Sequence, residues 1–317
     1  MIRQNQKKKE TRMNHWKRNR VIVIFLVLMF LISSGCSKKS VLKGSVNMIS
    51  PIVPELVHAC MRGVDTSYGQ GEYALPGLIA LVGGLSEVSP NNYTLAWTSS
   101  QIYLATSVYN ELDRNDFAKE LAWQGYRFGM RSLMTHKKFR KAVESGVPIE
   151  KAVKMLPKKY VEGLTWTAMS ASLWMLMNIT DIMSITYLPE ANSMVKRACE
   201  LNGDYFYGLP LMLDAVLSAM ASQMVQGCGL DKALVSYKKM KEVTDGKLIL
   251  GDTFWAQIYA VAIRDHKLYK NLLQGVLDAP DDILPYRGYY ITTLAKGRAK
   301  YLLAHEKEVF ENMGTIR

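Results

Sequence analysis

Five histidines, His15, His58, His136, His266 and His305, are the first places to look for chemistry, and each stands alone. The chain contains no H-E-x-x-H, no G-x-S-x-G, no phosphate-binding loop and no G-x-G-x-x-G, so the common hydrolytic, metalloprotease and nucleotide-binding patterns are missing. Glu111 and Asp113 lie two residues apart and point in different directions from a helix end, which suits capping better than a pair of acid and base. Asp281-Asp282 reads as a helix start rather than a metal site. Cys60, Cys199 and Cys228 are an odd set with no C-x-x-C, so ligand spacing for zinc is lacking. They leave room for one disulfide or three buried thiols, the latter favoured. With no reactive set converging, the chain is not expected to be an enzyme, nor to carry a metal or a dissociable cofactor.

The residue with a definite chemical prospect is Cys36. Basic Lys17, Arg18 and Arg20 precede an unbroken apolar run of 12 residues, Val21 to Ile32, and then Ser33-Ser34-Gly35-Cys36. A basic head, a short apolar body and a small-residue exit form an export signal. The run falls short of the ~20 apolar residues that a spanning helix needs. Gly35-Cys36 resembles the lipobox of bacterial lipoproteins, with Ser33 where that motif usually has Leu. The resemblance implies a diacylglyceryl group on Cys36 after removal of residues 1–35. Acyl chains contribute about 0.8 kcal/mol per buried CH₂, so such a group holds a protein at a membrane without a spanning helix. Translation is expected to begin at Met13, which leaves a signal of ordinary length. Ser37, rather than Asp, following the cysteine points to the outer membrane over the inner.

The formal net charge of +12 belongs mostly to this leader, since residues 1–35 carry +7 of it. The remaining Lys and Arg are interspersed with acids, and no basic face suited to nucleic acid is evident.

The elements behind these residues are helices. Residues 36–46 read as a polar, lipidated tether and residues 47–310 as one helical domain. Helical periodicity marks Pro51 to Met61, with Ile52, Leu56, Ala59 and Cys60 on one stripe. It continues over Tyr73 to Val88 and Tyr93 to Leu112, with Asp116 placed to cap the next helix as far as Leu133. Thr135 to Pro157, rich in Lys, reads as a surface insertion of short helices. Val161 to Met177 is apolar all round, the mark of a helix buried on most sides. Leu188 to Leu201, Tyr205 to Val225 (capped by Asp204), Leu230 to Val243, Leu248 to Ile263, His266 to Leu277 and Leu284 to Leu303 follow. ACELNGDYFYG (Ala198 to Gly208) aligns with KEVTDGKLILG (Lys241 to Gly251), an offset of 43 residues. Recurring helix pairs of this period predict an all-α, tetratricopeptide-like stack or bundle.

The chain holds 18 Met, 17 Tyr and 6 Trp. Adaptable thioethers and amphipathic rings fill cores, and they also line apolar cavities and partner grooves. Trp166, Trp174, Tyr205 and Tyr207 are the candidates for lining such a cavity, with Val161 to Met177 at its centre.

Three segments go beyond pattern. They are YALPGLIALVGGLSEVSPNNYTLAWTSSQIYLATSVYNELDRNDFAKELAWQGYRFGMRSL, then GLTWTAMSASLWMLMN with the following YLPEANSMVKRACELNGDYFYGLPLML, and LDKALVSYKKMKEVTDGKLILGDTFWAQIYAVAIRDHKLYKNLLQGVLDAP. Carried by Ser89-Pro90-Asn91, Gly125-Tyr126 to Leu133, Trp166-Thr167-Ala168, Leu188-Pro189 and Asp245-Gly246-Lys247, this order resembles the TatT family. Those are lipoproteins that accompany tripartite ATP-independent periplasmic (TRAP) transporters. The family's Gly-Gly-Asp turn is replaced here by Gly227-Cys228-Gly229-Leu230-Asp231. The resemblance implies tetratricopeptide-like helix pairs, a hydrophobic channel, a periplasmic solute-binding protein as partner and the ability to form a homotrimer. Two functions follow as expectations: an anchored accessory protein that helps hand over a small, apolar ligand, or an envelope scaffold with no ligand.

Overall fold

The computed structural model describes residues 38–63, 68–111, 114–178, 181–224, 230–285 and 288–314. The leader, Cys36, Met13 and the turn with Cys228 lie outside them. The chain divides into Met1–Ile49 and Ser50–Arg317. In the first unit, α1 (Lys38–Ile49) is a helix, where a polar tether was expected. Its Lys, Leu and Val are tolerated or favoured in helices, and Gly44 is the single breaker.

The second unit is all helix, with no strand among the described residues. In order come α2 (Val53–Gly63), α3 (Tyr68–Val88), α4 (Tyr93–Asn110), α5 (Asn115–Leu133), α6 (Lys137–Glu144) and α7 (Ile149–Ala152). Next are α8 (Val161–Met177), α9 (Ile182–Ile185), α10 (Leu188–Asn202), α11 (Tyr205–Met224) and α12 (Leu230–Val243). The series ends with α13 (Ile249–Trp255), which runs into a π-helical turn at Ala256–Ala260, then α14 (His266–Asp278), α15 (Tyr289–Ala304) and α16 (Glu306–Gly314).

The centre is built from α4 and α8, packed on each other and on α5. Helix α8 has no polar side and is buried except at Glu162, Trp174, Leu176 and Met177. Helix α4 is buried almost throughout from Leu95, although it contains many Ser and Thr. Several of their hydroxyls bond back along the helix: Thr98 donates to the Thr94 carbonyl at 2.7 Å, Ser99 to Leu95 at 2.9 Å and Thr106 to Ile102 at 2.8 Å. A buried hydroxyl bonded back to its own helix lets small side chains line a close helix contact. Asn92 caps α4, its side chain accepting from the Leu95 N–H at 3.0 Å.

The closest approach lies between α5 and α8. A Cβ on Gly129 would fall 2.3 Å from Thr167 Oγ1 and 2.8 Å from Thr167 Cα. The second atom is backbone and cannot swing away. Gly129→Ala is therefore expected to wedge the two central helices apart and to destabilise the fold by about 3 kcal/mol. A denaturant titration checks this, and a loss below about 1 kcal/mol would contradict the close contact.

Several local expectations are corrected. In α2 the buried face is Val53, Val57 and Met61, while Ile52 and Leu56 of the expected stripe are exposed. Both stripes repeat at three- and four-residue spacing, so periodicity alone did not choose between them. Asp116 lies in the first turn of α5, and the N-cap position is Arg114 with no side-chain cap. Asp281-Asp282 form a turn rather than a helix start; α15 begins later, at Tyr289, and Lys296 Nζ reaches Asp281 at 2.5 Å. The segment from Thr135 to Pro157 does form short helices with Lys137, Lys138 and Lys141 exposed, but it buries Phe139, Val153 and Leu156. Arg197 of α10 holds it by donating to the Leu156 carbonyl at 2.9 and 3.2 Å. The two aligned repeat turns also differ. Left-handed residues occur at Phe206, Tyr207 and Gly208 in one and at Asp245 and Gly246 in the other.

Candidate functional site

Two apolar cavities lie against the central helices. The larger is partly open to solvent and has a cavity volume of about 50 Å³. Helix α2 supplies His58 and Met61 to it, α4 supplies Gln101, Leu104, Ala105 and Val108, and α8 supplies Trp166 and Met169. Phe206 and Leu209 of α11, Leu250 of α13, and Tyr290, Ile291 and Leu294 of α15 complete its lining. The smaller, about 20 Å³, lies among Val108, Met169, Ser172, Leu173, Leu176, Met212, Leu213, Val216, Met220 and Phe254. Val108 and Met169 line both, so a pair of flexible or small apolar side chains is all the lining that the two spaces have in common. A thioether with three rotatable bonds can yield to a ligand at little strain.

The backbone turn at the start of α11 places Phe206. Phe206 has φ 46°, Tyr207 φ 59° and Gly208 φ 80°, just before Pro210. Two bulky residues in the left-handed region are unfavourable and persist only where the surroundings hold them. Here the Phe206 ring stacks on His58 at 5.7 Å and meets Trp166 edge-on at 5.2 Å. A Cβ on Gly208 would strike Thr244 Cγ2 at 2.7 Å.

The four aromatic candidates are not one group. Trp166 lines the larger cavity. Tyr205 supports it from behind, accepting a hydrogen bond from Trp166 Nε1 at 3.0 Å. Tyr207 packs beside Phe206 and donates to the Pro285 carbonyl at 3.3 Å. Trp174 is eight positions further along α8, about 12 Å by helix rise, and lies elsewhere. It packs with Trp123 at 5.1 Å and Tyr187 at 5.4 Å, beside Tyr126. Sequence reasoning missed Phe206, His58, Gln101 and Tyr290 as lining. The one hint was Gln101 itself, a long amide inside a helix of otherwise small or apolar buried residues.

The Trp174 cluster contains a half-buried acid, Glu190. Tyr126 Oη donates to Glu190 Oε1 at 2.6 Å. Burial raises the Glu190 carboxyl above its ordinary range, the Tyr126 bond opposes the shift, and Glu150 adds to it. The folded state therefore binds this proton more tightly than the unfolded chain does. Stability is expected to fall as pH rises from the unfolded carboxylate range through the folded pKa, and to level off above it. Glu190→Gln keeps an acceptor for Tyr126 and removes the charge. Thermal melts between about pH 4 and 8 should show the variant losing that slope, with no loss of melting temperature at neutral pH. A variant that melts lower at neutral pH would contradict the assignment.

Cys60 and Cys199 are free and partly buried, and burial pushes the Cys199 thiol up to about 12. No cluster of His, Cys, Asp or Glu among the described residues could hold a metal ion, and none of the described helices is long and apolar enough to cross a membrane.

With helices on all sides of an apolar interior, the relevant comparison is with known families. The model for the TRAP transporter T-component matches residues 71–310. The chain belongs to that family. T-components are accessory parts of TRAP transport and not a family of enzymes, and membership links this chain to a TRAP transporter at the cell envelope. The match begins within α3 and ends within α16, so it takes in nearly every residue that lines the two cavities; His58 and Met61 of α2 stand before it. A search among curated proteins finds no match.

Proposed function

We propose that this T-component is a lipid-anchored, periplasm-facing protein that docks the solute-binding protein of a TRAP system and assists transfer of a small, apolar-bodied ligand. The observation that carries the reading is the pair of adjoining apolar cavities with Val108 and Met169 in common. Ligand sites are concave, mostly apolar and furnished with few polar groups, and these fit that description. Diacylglyceryl-modified Cys36 supplies the anchor, in the outer membrane. Tetratricopeptide-like helix pairs supply the docking surface, and three copies assemble as a homotrimer.

The test is recovery of the partner. Affinity capture of the mature, lipidated protein from envelope extracts, read by mass spectrometry, should return a TRAP-type solute-binding protein. Radiolabelled palmitate should enter the wild type and not Cys36→Ala. Recovery of unrelated envelope proteins alone would favour the scaffold and contradict docking.

A further inference from the structure

The lining of the larger cavity is mostly apolar, and among its few polar members are His58 and Gln101, which α2 and α4 bring together. Gln101 Nε2 lies 3.1 Å from His58 Nε2, to which it donates when the ring proton is on Nδ1. Gln101 is 4 % exposed, and its Oε1 has no hydrogen-bond partner among the described residues. A buried amide whose carbonyl is left unmatched weakens the fold, and native proteins seldom keep one without a use. On the same helix the hydroxyls of Thr98, Ser99 and Thr106 bond to backbone carbonyls, whereas Ser100 Oγ, next to Gln101, is also without a partner among the described residues; of the two, Gln101 lines the cavity.

We infer that Gln101 is a recognition residue whose side-chain carbonyl accepts a hydrogen bond from the polar end of an uncharged, apolar-bodied ligand such as a long-chain alcohol. This rests on the cavity reading above and names the ligand's class. With Nε2 directed at His58, Oε1 is the free end of the amide, and a ligand hydroxyl donates to it. The apolar body extends along Leu104, Trp166 and Met169. No Lys or Arg lines the cavity, so a carboxylate would find no permanently charged partner in the lining, which disfavours its burial.

Binding of three probes to the full mature protein tests this by calorimetry. 1-Octanol and 1-methoxyheptane have the same composition, and only the alcohol can donate. The alcohol is expected to bind about tenfold more tightly. Gln101→Leu should bring the two affinities together while changing that of 1-methoxyheptane by less than about threefold. Octanoate at pH 8 should bind at least ~10-fold more weakly than 1-octanol. Equal affinities in the wild type, a preference that survives Gln101→Leu, or tighter binding of octanoate would each overturn the inference and leave the cavity reading intact. Failure of both neutral probes to bind would overturn the cavity reading itself. If Gln101→Leu does not fold, Gln101→Met provides the same comparison, and the wild-type ratio is decisive without either.

Discussion

Arg298→Met is expected to destabilise the fold by about 3–5 kcal/mol, because it strands a carboxylate in the interior. Arg298 of α15 and Glu111, at the end of α4, form an ion pair with side chains 2 % and 4 % exposed. The guanidinium also donates to Gln257 Oε1 and lies 4.1 Å from the centre of the Phe254 ring. Gln257 belongs to the π-helical turn Ala256–Ala260. Such a turn inserts a residue into a helix and redirects the side chains around it; here one of them meets Arg298. The pair thus ties α4 to α15 through the turn behind the smaller cavity, which Phe254 also lines. At roughly 2–4 °C per kcal/mol for a domain of this size, the melting temperature should fall by about 10 °C or more. The double variant Glu111→Leu, Arg298→Met removes both charges and should recover most of the loss. Equilibrium denaturation of the three proteins checks this, and a single variant within about 1 kcal/mol of wild type would contradict it.

Ala105→Trp is expected to weaken binding of 1-octanol by about fiftyfold. Ala105 lines the larger cavity and is not fully enclosed, so an indole there can enter the space without invading the core. Displacing three methylenes of a bound chain, at roughly 0.8 kcal/mol each, removes about 2.4 kcal/mol of affinity. Calorimetry gives the affinity, and a melting temperature close to wild type shows that the loss is local. Unchanged affinity would place the ligand elsewhere.

The helical class was legible because apolar residues recur at helical spacing nearly throughout, and Val161–Met177 and Leu230–Val243 have the bounds that the pattern predicted. Trp166, on a helix with no polar face, lines the larger cavity. Trp174 packs against Trp123 and Tyr187 instead, since sharing a helix does not mean sharing a side of it. Phe206 escaped because its direction comes from a left-handed turn that no propensity for Phe anticipates. His58 and Gln101 are 43 positions apart and meet only through packing of α2 on α4. Glu111 was read as a capping residue; its partner Arg298 is too distant in sequence for any local pattern to connect the two.

The most direct measurement is a methyl NMR titration of the mature protein, labelled at methionine, with 1-methoxyheptane. Met61, Met169, Met212 and Met220 line the cavities, whereas Met155 and Met183 are exposed on the outside. An apolar ligand held in the interior should shift the Met169 methyl most, Met61 or Met212 with it, and leave Met155 and Met183 unmoved. Saturating ligand that moves only the exposed methyls, or none, would contradict a ligand-carrying interior.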